Sequence, residues 1–192
     1  MEKYTIGFAF CGSFCTYAKA MAALETVAGQ YSTVIPIFSQ VSQETDSRFG
    51  RGAEHLAKAE ALCGRRALTT IAQVEPIGPK KLLDALVIAP CTGNTLAKLA
   101  HGIADGPVTM AAKSHLRNGR PLLLAVSTND GLGAAAENIG RLLARKHIYF
   151  VPFGQDDPEA KPTSLVADFG RLPEALWAAL AGRQVQPLLV GQ

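Results

Sequence analysis

The chain has 192 residues, 48% of them hydrophobic and 18% charged, with a formal net charge of +3. A domain of that length buries a full core, and scattered Lys and Arg without an interleaved aromatic stripe argue against nucleic acid and leave room for a small anion. No run reaches the about 18 apolar residues of a membrane span and no signal-peptide pattern follows Glu2 and Lys3, so the expectation is a cytoplasmic protein, with no membrane partner, whose Cys11, Cys15, Cys63 and Cys91 are reduced thiols lacking metal-ligand spacing.

Tyr4–Phe10 is apolar and β-prone, and it leads through Cys11-Gly12-Ser13 into a helix carrying Tyr17, Ala18, Met21 and Leu24 on one side. Thr33–Phe38 reads as a second strand closed by Ser39, after which Gln40–Gly52 forms a polar loop whose length marks it as functional. Ala53–Leu62 is helical with Gly64 as its stop, Leu68–Ile71 is a short strand, and Glu75–Pro79 a rigid loop. Leu86–Ala89 is a continuous apolar run that suits a strand covered on both faces. Pro90, with no N–H, is expected to end its ladder. Cys91, Thr92 and Gly93 keep the side chains small, and Asn94 or Thr95 caps a helix with Leu96, Leu99, Ala100 and Ile103 on one face. Pro107 opens a helix to about Arg117 and Asn118-Gly119 marks a turn. Pro121–Val126 is a further buried strand, ending in Ser127–Gly131, with a helix to about Lys146. Ile148–Phe153 is the last clear strand, a polar excursion runs from Gly154 through Pro162, and a final helix spans Leu172–Leu180.

Strands and helices in alternation predict an α/β fold, a doubly wound, Rossmann-like parallel sheet flanked by helices, in a single domain over residues 1–192. Its binding crevice lies beyond the carboxyl ends of the strands. Four turns meet that edge, at Cys11–Ser13, Ser39 onward, Pro90–Thr95 and Ser127–Gly131, and all are built of Ser, Thr, Asn, Gly and Cys. The plain alternative is that they are only loops with good caps. Without GxGxxG or GxxxxGK[ST], an ordinary dinucleotide site and a P-loop are disfavoured. A helix N-terminus with small hydroxyl neighbours suits a phosphorylated heterocycle, and flavin mononucleotide (FMN) meets those requirements. The candidate cofactor-binding set is Gly12, Ser13, Ser39, Thr92, Gly93, Asn94, Thr95, Ser127 and Thr128.

The run Ala89-Pro90-Cys91-Thr92-Gly93-Asn94-Thr95, followed by Ala97-Lys98-Leu99-Ala100 and Gly102-Ile103-Ala104-Asp105, resembles the APATANT…AK.A.GIAD signature of the flavoprotein superfamily that includes the flavin-containing cysteine decarboxylases. Gly12-Ser13 resembles its phosphate-binding turn, and Ser39 matches the position of its flavin-contacting Ser or Thr. Glu75–Lys80, Met110–Lys113, Ala125–Asp130 and Ile148–Asp156 are similar to the branch formed by dipicolinate synthase B subunits. There are departures from the decarboxylases. Gly78 and Pro79 stand where they carry a His before the central strand, and Val126–Leu132 keeps only Asn129 of their PxMNxxMW motif.

The resemblance implies an oxidoreductase role in forming pyridine-2,6-dicarboxylate from a hydroxylated or dihydro tetrahydrodipicolinate precursor during sporulation, in the mother cell. It implies FMN here, with NAD(P) supplied through a dehydrogenase-like partner, the A subunit of dipicolinate synthase. It also implies a homo-oligomer, a trimer or a multiple of one. Other readings are a non-catalytic protein that stabilises that partner and, disfavoured by the departures, an FMN-dependent decarboxylase or prenyltransferase. A dicarboxylate substrate needs cations; the candidates are Arg48, Lys113 and Lys161, with Lys80 and Lys81 behind them, each with the alternative of a solvated surface charge. Asn129 and Asp130 are the candidate catalytic residues; Asp130 and Asp156 are the possible proton carriers. His55, His101, His115 and His147 fall on helices or helix ends away from the crevice and are not expected to be catalytic. Cys91 is the best thiol candidate by its place at a helix N-terminus, although a small buried side chain explains it as well. Cys11 and Cys91, both at strand ends, are expected to meet in one cleft.

Overall fold

A computed structural model describes residues 1–191. The strands are β1 (Glu2–Phe10), β2 (Tyr31–Phe38), β3 (Ala85–Cys91), β4 (Leu122–Thr128), β5 (Ile148–Phe150), β6 (Phe153–Gly154) and β7 (Leu165–Ala167). They form one sheet in the order β2-β1-β3-β4-β7-β6, with β5 also paired to β4. β1 to β5 pair in parallel. Every residue of β3 is buried, and so is all of β4 but Thr128, as a strand covered by helices on both faces requires.

The helices are α1 (Tyr17–Gln30), α2 (Gln40–Glu44), α3 (Gly52–Cys63), α4 (Ile71–Val74), α5 (Gly93–His101), α6 (Pro107–Leu116), α7 (Ala136–Leu143) and α8 (Leu172–Leu180). α1 and α8 pack together on one face, α8 lying across β3, β4 and β5, while α5 packs between α6 and α7 on the other. The order places the carboxyl ends of β1, β2, β3 and β4 side by side, so the loops that leave them share one rim.

Several expectations are corrected. The sheet is mostly but not wholly parallel, because β7 runs antiparallel to β4 and β6; a three-residue strand inside the late polar excursion carries too little periodicity to read. Pro90 does not end the central strand. The β3–β4 register breaks between Ile88 and Cys91 and resumes at Cys91 opposite Val126, so the ladder steps past the proline and continues. Leu68–Ile71 is not a strand. Leu68 makes a single bridge to Ile37, and the next turn is claimed by a reciprocal cap in which Thr70 accepts from the Gln73 N–H and Gln73 accepts from the Thr70 N–H, a pattern that starts helices. The Gln40–Gly52 loop holds α2, capped by Ser39, and Gly52 lies so close to it that a Cβ would sit 2.4 Å from the Gln43 carbonyl oxygen. On α1, Ala20 faces the core and Ala18 faces outward. Ile103 lies beyond α5 and is 48% exposed, whereas Leu96, Leu99 and Ala100 are buried as expected.

Candidate functional site

The rim is tied together by hydroxyl groups. After β1, Cys11–Ser13 leads into a 3-10 turn, Phe14–Thr16, in which the Thr16 hydroxyl donates to the Ser13 carbonyl at 2.9 Å. The Ser13 hydroxyl meets that of Ser127, at the end of β4, at 2.7 Å, and Ser127 also lies 3.2 Å from the Thr16 hydroxyl. After β2, Ser39 meets the Ser42 hydroxyl at 2.6 Å, and Ser42 donates to the Phe10 carbonyl at 2.9 Å. The second turn is thereby fastened to the end of β1. The Tyr17 hydroxyl donates to the Cys11 carbonyl at 2.9 Å from beneath.

At the third corner the α5 cap is Thr92, whose hydroxyl accepts from the Thr95 N–H at 3.2 Å and meets the Thr95 hydroxyl at 3.0 Å. Asn94 and Thr95 are inside the helix and do not cap it. The extended backbone of Thr92 is the reason: an N-cap residue is non-helical and reaches the third N–H beyond it. Gly93 lies under the fourth corner, where an added Cβ would be 2.8 Å from Thr128 Oγ1 and 3.0 Å from Asp130 Oδ1. The Thr128 hydroxyl donates to the Asp130 carboxylate.

The four corners enclose a two-lobed crevice, and both lobes include Gly12 and Thr92. The larger lobe, about 440 Å³, is bordered by Cys11, Ser39, Asn94, Thr95 and the Lys98–Asp105 pair. That pair is bidentate at 2.9 Å, and the Lys98 ammonium holds the Asp105 carboxyl below its usual range. The smaller lobe, about 370 Å³, is bordered by Ser13, Gly93, Ser127, Thr128 and Asn129 and by the charged Lys19, Asp156 and Lys161. Each volume is in the range of small-molecule sites. Another hollow, about 580 Å³, lies between Met1, Gln30 and Trp177 at the amino ends of β1 and β2 and shares no residue with this rim.

The residues present fit a flavin mononucleotide. The donors are neutral hydroxyls and the opening N–H groups of a nine-residue helix, which carry partial positive charge and have no intrahelical acceptor. The missing Cβ at Gly93 lets the Thr128 hydroxyl and the Asp130 carboxylate close over the start of that helix.

Among the cysteines, burial pushes the Cys11 thiol up to about 11, outweighing the Thr95 hydroxyl, the Thr92 backbone and Lys98. Burial likewise drives the Cys91 thiol well above its usual range, with Cys11 adding to the effect. Both are buried and remain protonated; Cys11 borders the larger lobe while Cys91 borders neither, so the two do not share the cleft, and desolvation overrides the helix N-terminus. Cys91 therefore acts as a small buried side chain and not as a nucleophile.

Gly12, Ser13, Ser39, Thr92, Gly93, Asn94, Thr95, Ser127 and Thr128 all border the crevice. Asn129 borders the smaller lobe, while its carbonyl accepts from the Thr163 hydroxyl at 2.7 Å. Asp130 borders neither lobe and spends its carboxylate on Thr128. Asp156 does border the smaller lobe; burial raises its carboxyl, and the Ser164 hydroxyl and Lys161 ammonium overcome that and leave it below the usual range. Lys161 is present as expected, paired to Asp156 at 3.3 Å.

Arg48 and Lys113 are not brought to the crevice. Arg48 is exposed and stacks over the Phe49 ring at 4.8 Å, because the loop that carries it folds into a tight Ser47–Gly50 turn. Lys113 borders a separate hollow with Ile103, Arg117 and Arg145, since α6 meets the crevice only through its first turn. Lys80 and Lys81 precede β3, at the end opposite the rim. No histidine borders either lobe. Lys98, Asp105, Thr16 and Lys19 stand at the site without having been expected there. Helical spacing was the available signal: Lys98 falls four residues after Asn94, and Lys19 three after Thr16.

The flavoprotein family model matches residues 1–169. The dipicolinate synthase B subunit of Bacillus subtilis (strain 168) is 46% identical over 185 residues, covering 96% of this chain and 92% of that one. The crystal structure of the dipicolinate synthase B subunit from Bacillus halodurans superposes with a TM-score of 0.91 at 43% identity, covering 100% of this chain and 98% of the other. An FMN-dependent cysteine decarboxylase, SpaF, shares the fold with a TM-score of 0.63 at 21% identity, covering 94% and 96% of the two chains. The chain belongs to the flavoprotein family, in the branch of the dipicolinate synthase B subunits.

Proposed function

We propose that this chain is the flavin-holding component of a two-component enzyme that forms pyridine-2,6-dicarboxylate from a hydroxylated tetrahydrodipicolinate precursor. The observation that carries the reading is the crevice itself, which gathers nine small polar residues from four turns around the start of α5, in a chain 46% identical to a dipicolinate synthase B subunit. The conversion loses one water and two hydrogens, and bound flavin supplies the two-electron acceptor that no side chain provides. The second component, the dehydrogenase-like A subunit of the synthase, supplies NAD(P) in this reading.

The chain's own residues hold and orient. Ser13, Thr16 and Ser127 form one hydroxyl cluster, and Ser39 with Thr92 and Asn94 forms the other wall. Asn129 offers its amide to the ring edge of the substrate, and Lys161 offers an ammonium to a carboxylate. Asp156, ionised beside Lys161, is the proton carrier nearest to that position. Asp130 positions the Gly93 turn through Thr128. In this reading the chain is a homo-oligomer, a trimer or a multiple of one, in keeping with fold neighbours described as a dodecameric UbiX-like decarboxylase and a cubic protein cage. The place of action in this reading is the cytoplasm of a sporulating mother cell.

The test is colour followed by turnover. Purified protein is expected to carry flavin absorbance, and mixing it with the dehydrogenase-like partner, NAD(P) and the precursor is expected to raise pyridine absorbance faster than the partner does by itself. A colourless protein that takes up no added FMN refutes the flavin-holding role, and one that nevertheless accelerates the partner identifies a stabilising protein instead.

A further inference from the structure

Two lysines reach the smaller lobe from unrelated parts of the chain. Lys19 comes from α1 and Lys161 from the excursion between β6 and β7. Among the described residues Lys19 has no ion-pair partner, whereas Lys161 is held by Asp156 at 3.3 Å. The excursion is pinned close by: Thr163 donates its hydroxyl to the Asn129 carbonyl at 2.7 Å, the Leu132 N–H donates to the Thr163 carbonyl at 2.9 Å, and the Ser164 N–H donates to the Lys161 carbonyl at 3.0 Å. Apart from the Lys161–Asp156 pair and Lys19, the polar side chains bordering the lobe are neutral, among them Ser13, Ser127, Thr128 and Asn129. Two cations from separate elements, on one lobe otherwise rich in neutral donors, match a small ring that carries two anionic groups.

We infer that Lys19 and Lys161 form a two-point clamp that selects a small dicarboxylate over its monocarboxylate analogue, with Asp156 as the resident counter-ion that an incoming carboxylate displaces. The inference rests on the dicarboxylate substrate proposed above and adds the residues that read its second charge. Displacing Asp156 is inexpensive because a half-exposed ion pair, with the Lys161 side chain 51% exposed, contributes little by itself. Lysine suits the task, since a compact charge on a flexible stem can leave one carboxylate for another without a planar geometry to satisfy. Lys19 follows Thr16 by three residues and so stands on the same side of the helix as the hydroxyl that faces Ser127.

Calorimetric titration of the purified protein with pyridine-2,6-dicarboxylate and with pyridine-2-carboxylate tests the clamp. The diacid is expected to bind about 10-fold more tightly than the monoacid, the gain of one charge-assisted contact. K19Q and K161Q are each expected to remove that preference, while D156N tightens diacid binding. Unchanged flavin content and thermal midpoint show that the variants fold. A diacid-to-monoacid ratio that K19Q leaves unchanged overturns the clamp and leaves the proposed function standing. Failure of the parent protein to bind either acid overturns both.

Discussion

The hydroxyls of Ser13 and Ser127 meet at 2.7 Å although they stand 114 positions apart in the chain. The contact joins the turn after β1 to the end of β4, across the intervening β3, and Thr16 closes it from the foot of α1. One small polar cluster thus sets the spacing of the corners that enclose the crevice.

Removing this bond is expected to loosen the cofactor more than the fold. A single side-chain hydrogen bond contributes about 1 kcal/mol, so Ser13→Ala is expected to weaken FMN retention about 3- to 10-fold. Ser127→Ala, which also takes a partner from Thr16, is expected to cost at least as much. Equilibrium dialysis of FMN against both variants and the double variant measures the coupling, and strictly additive losses would show that the two hydroxyls act independently.

Gly93→Ala is expected to fail at the site while the sheet survives. The new methyl would meet Thr128 Oγ1 at 2.8 Å and Asp130 Oδ1 at 3.0 Å, so the α5 start or the Thr128–Asp130 pair must shift. Overpacking of this kind costs about 1 to 3 kcal/mol. Far-ultraviolet circular dichroism should be retained and flavin absorbance lost.

Thr92→Ala removes the cap of α5, and such losses cost about 1 kcal/mol. Asn94→Ala should leave helix stability unchanged, because Asn94 does not cap. Chemical denaturation of the two variants separates them, and equal destabilisation would contradict the assignment of Thr92.

Acid should destabilise the chain through His115. Burial is the main cause that presses its imidazole down to about 4 from an ordinary 6.5, with Arg120 adding to the effect against the Pro121 carbonyl and Asp84. The unfolded chain takes up the proton first, so stability is full above 6.5, falls as the pH drops, and levels below about 4. The span corresponds to about 3 kcal/mol. Urea midpoints between these pH values, compared with those of His115→Gln, isolate the contribution; an equal acid slope in the variant would assign it elsewhere.

Arg48→Gln and Lys113→Gln should leave binding of pyridine-2,6-dicarboxylate within about 2-fold of the parent, since ion effects from exposed charges outside the site are small. The same titrations that follow Lys19 and Lys161 provide the comparison. A loss of about 10-fold in either variant would mean that a second chain, or a moved loop, brings that cation to the crevice.

The sequence by itself determined the alternation of elements and the place of the crevice. Leu86–Ala89 is apolar at every position and so had to be covered on both faces, Gly64 and Pro107 punctuate helices where their backbone chemistry demands, and small hydroxyl residues stand at the end of each central strand. These are local signals, carried by periods of about two and 3.6 residues and by residues with few conformations. Tertiary structure decided which side chains meet. Nothing near Ser13 announces Ser127, and nothing near Lys161 announces Lys19, because the strand order that brings them together is set by packing across the whole sheet. The long loops were the least legible: α2 and β7 are too short to show a period, and a cation on a polar loop reads the same whether the chain folds it into the crevice, as with Lys161, or into a turn of its own, as with Arg48.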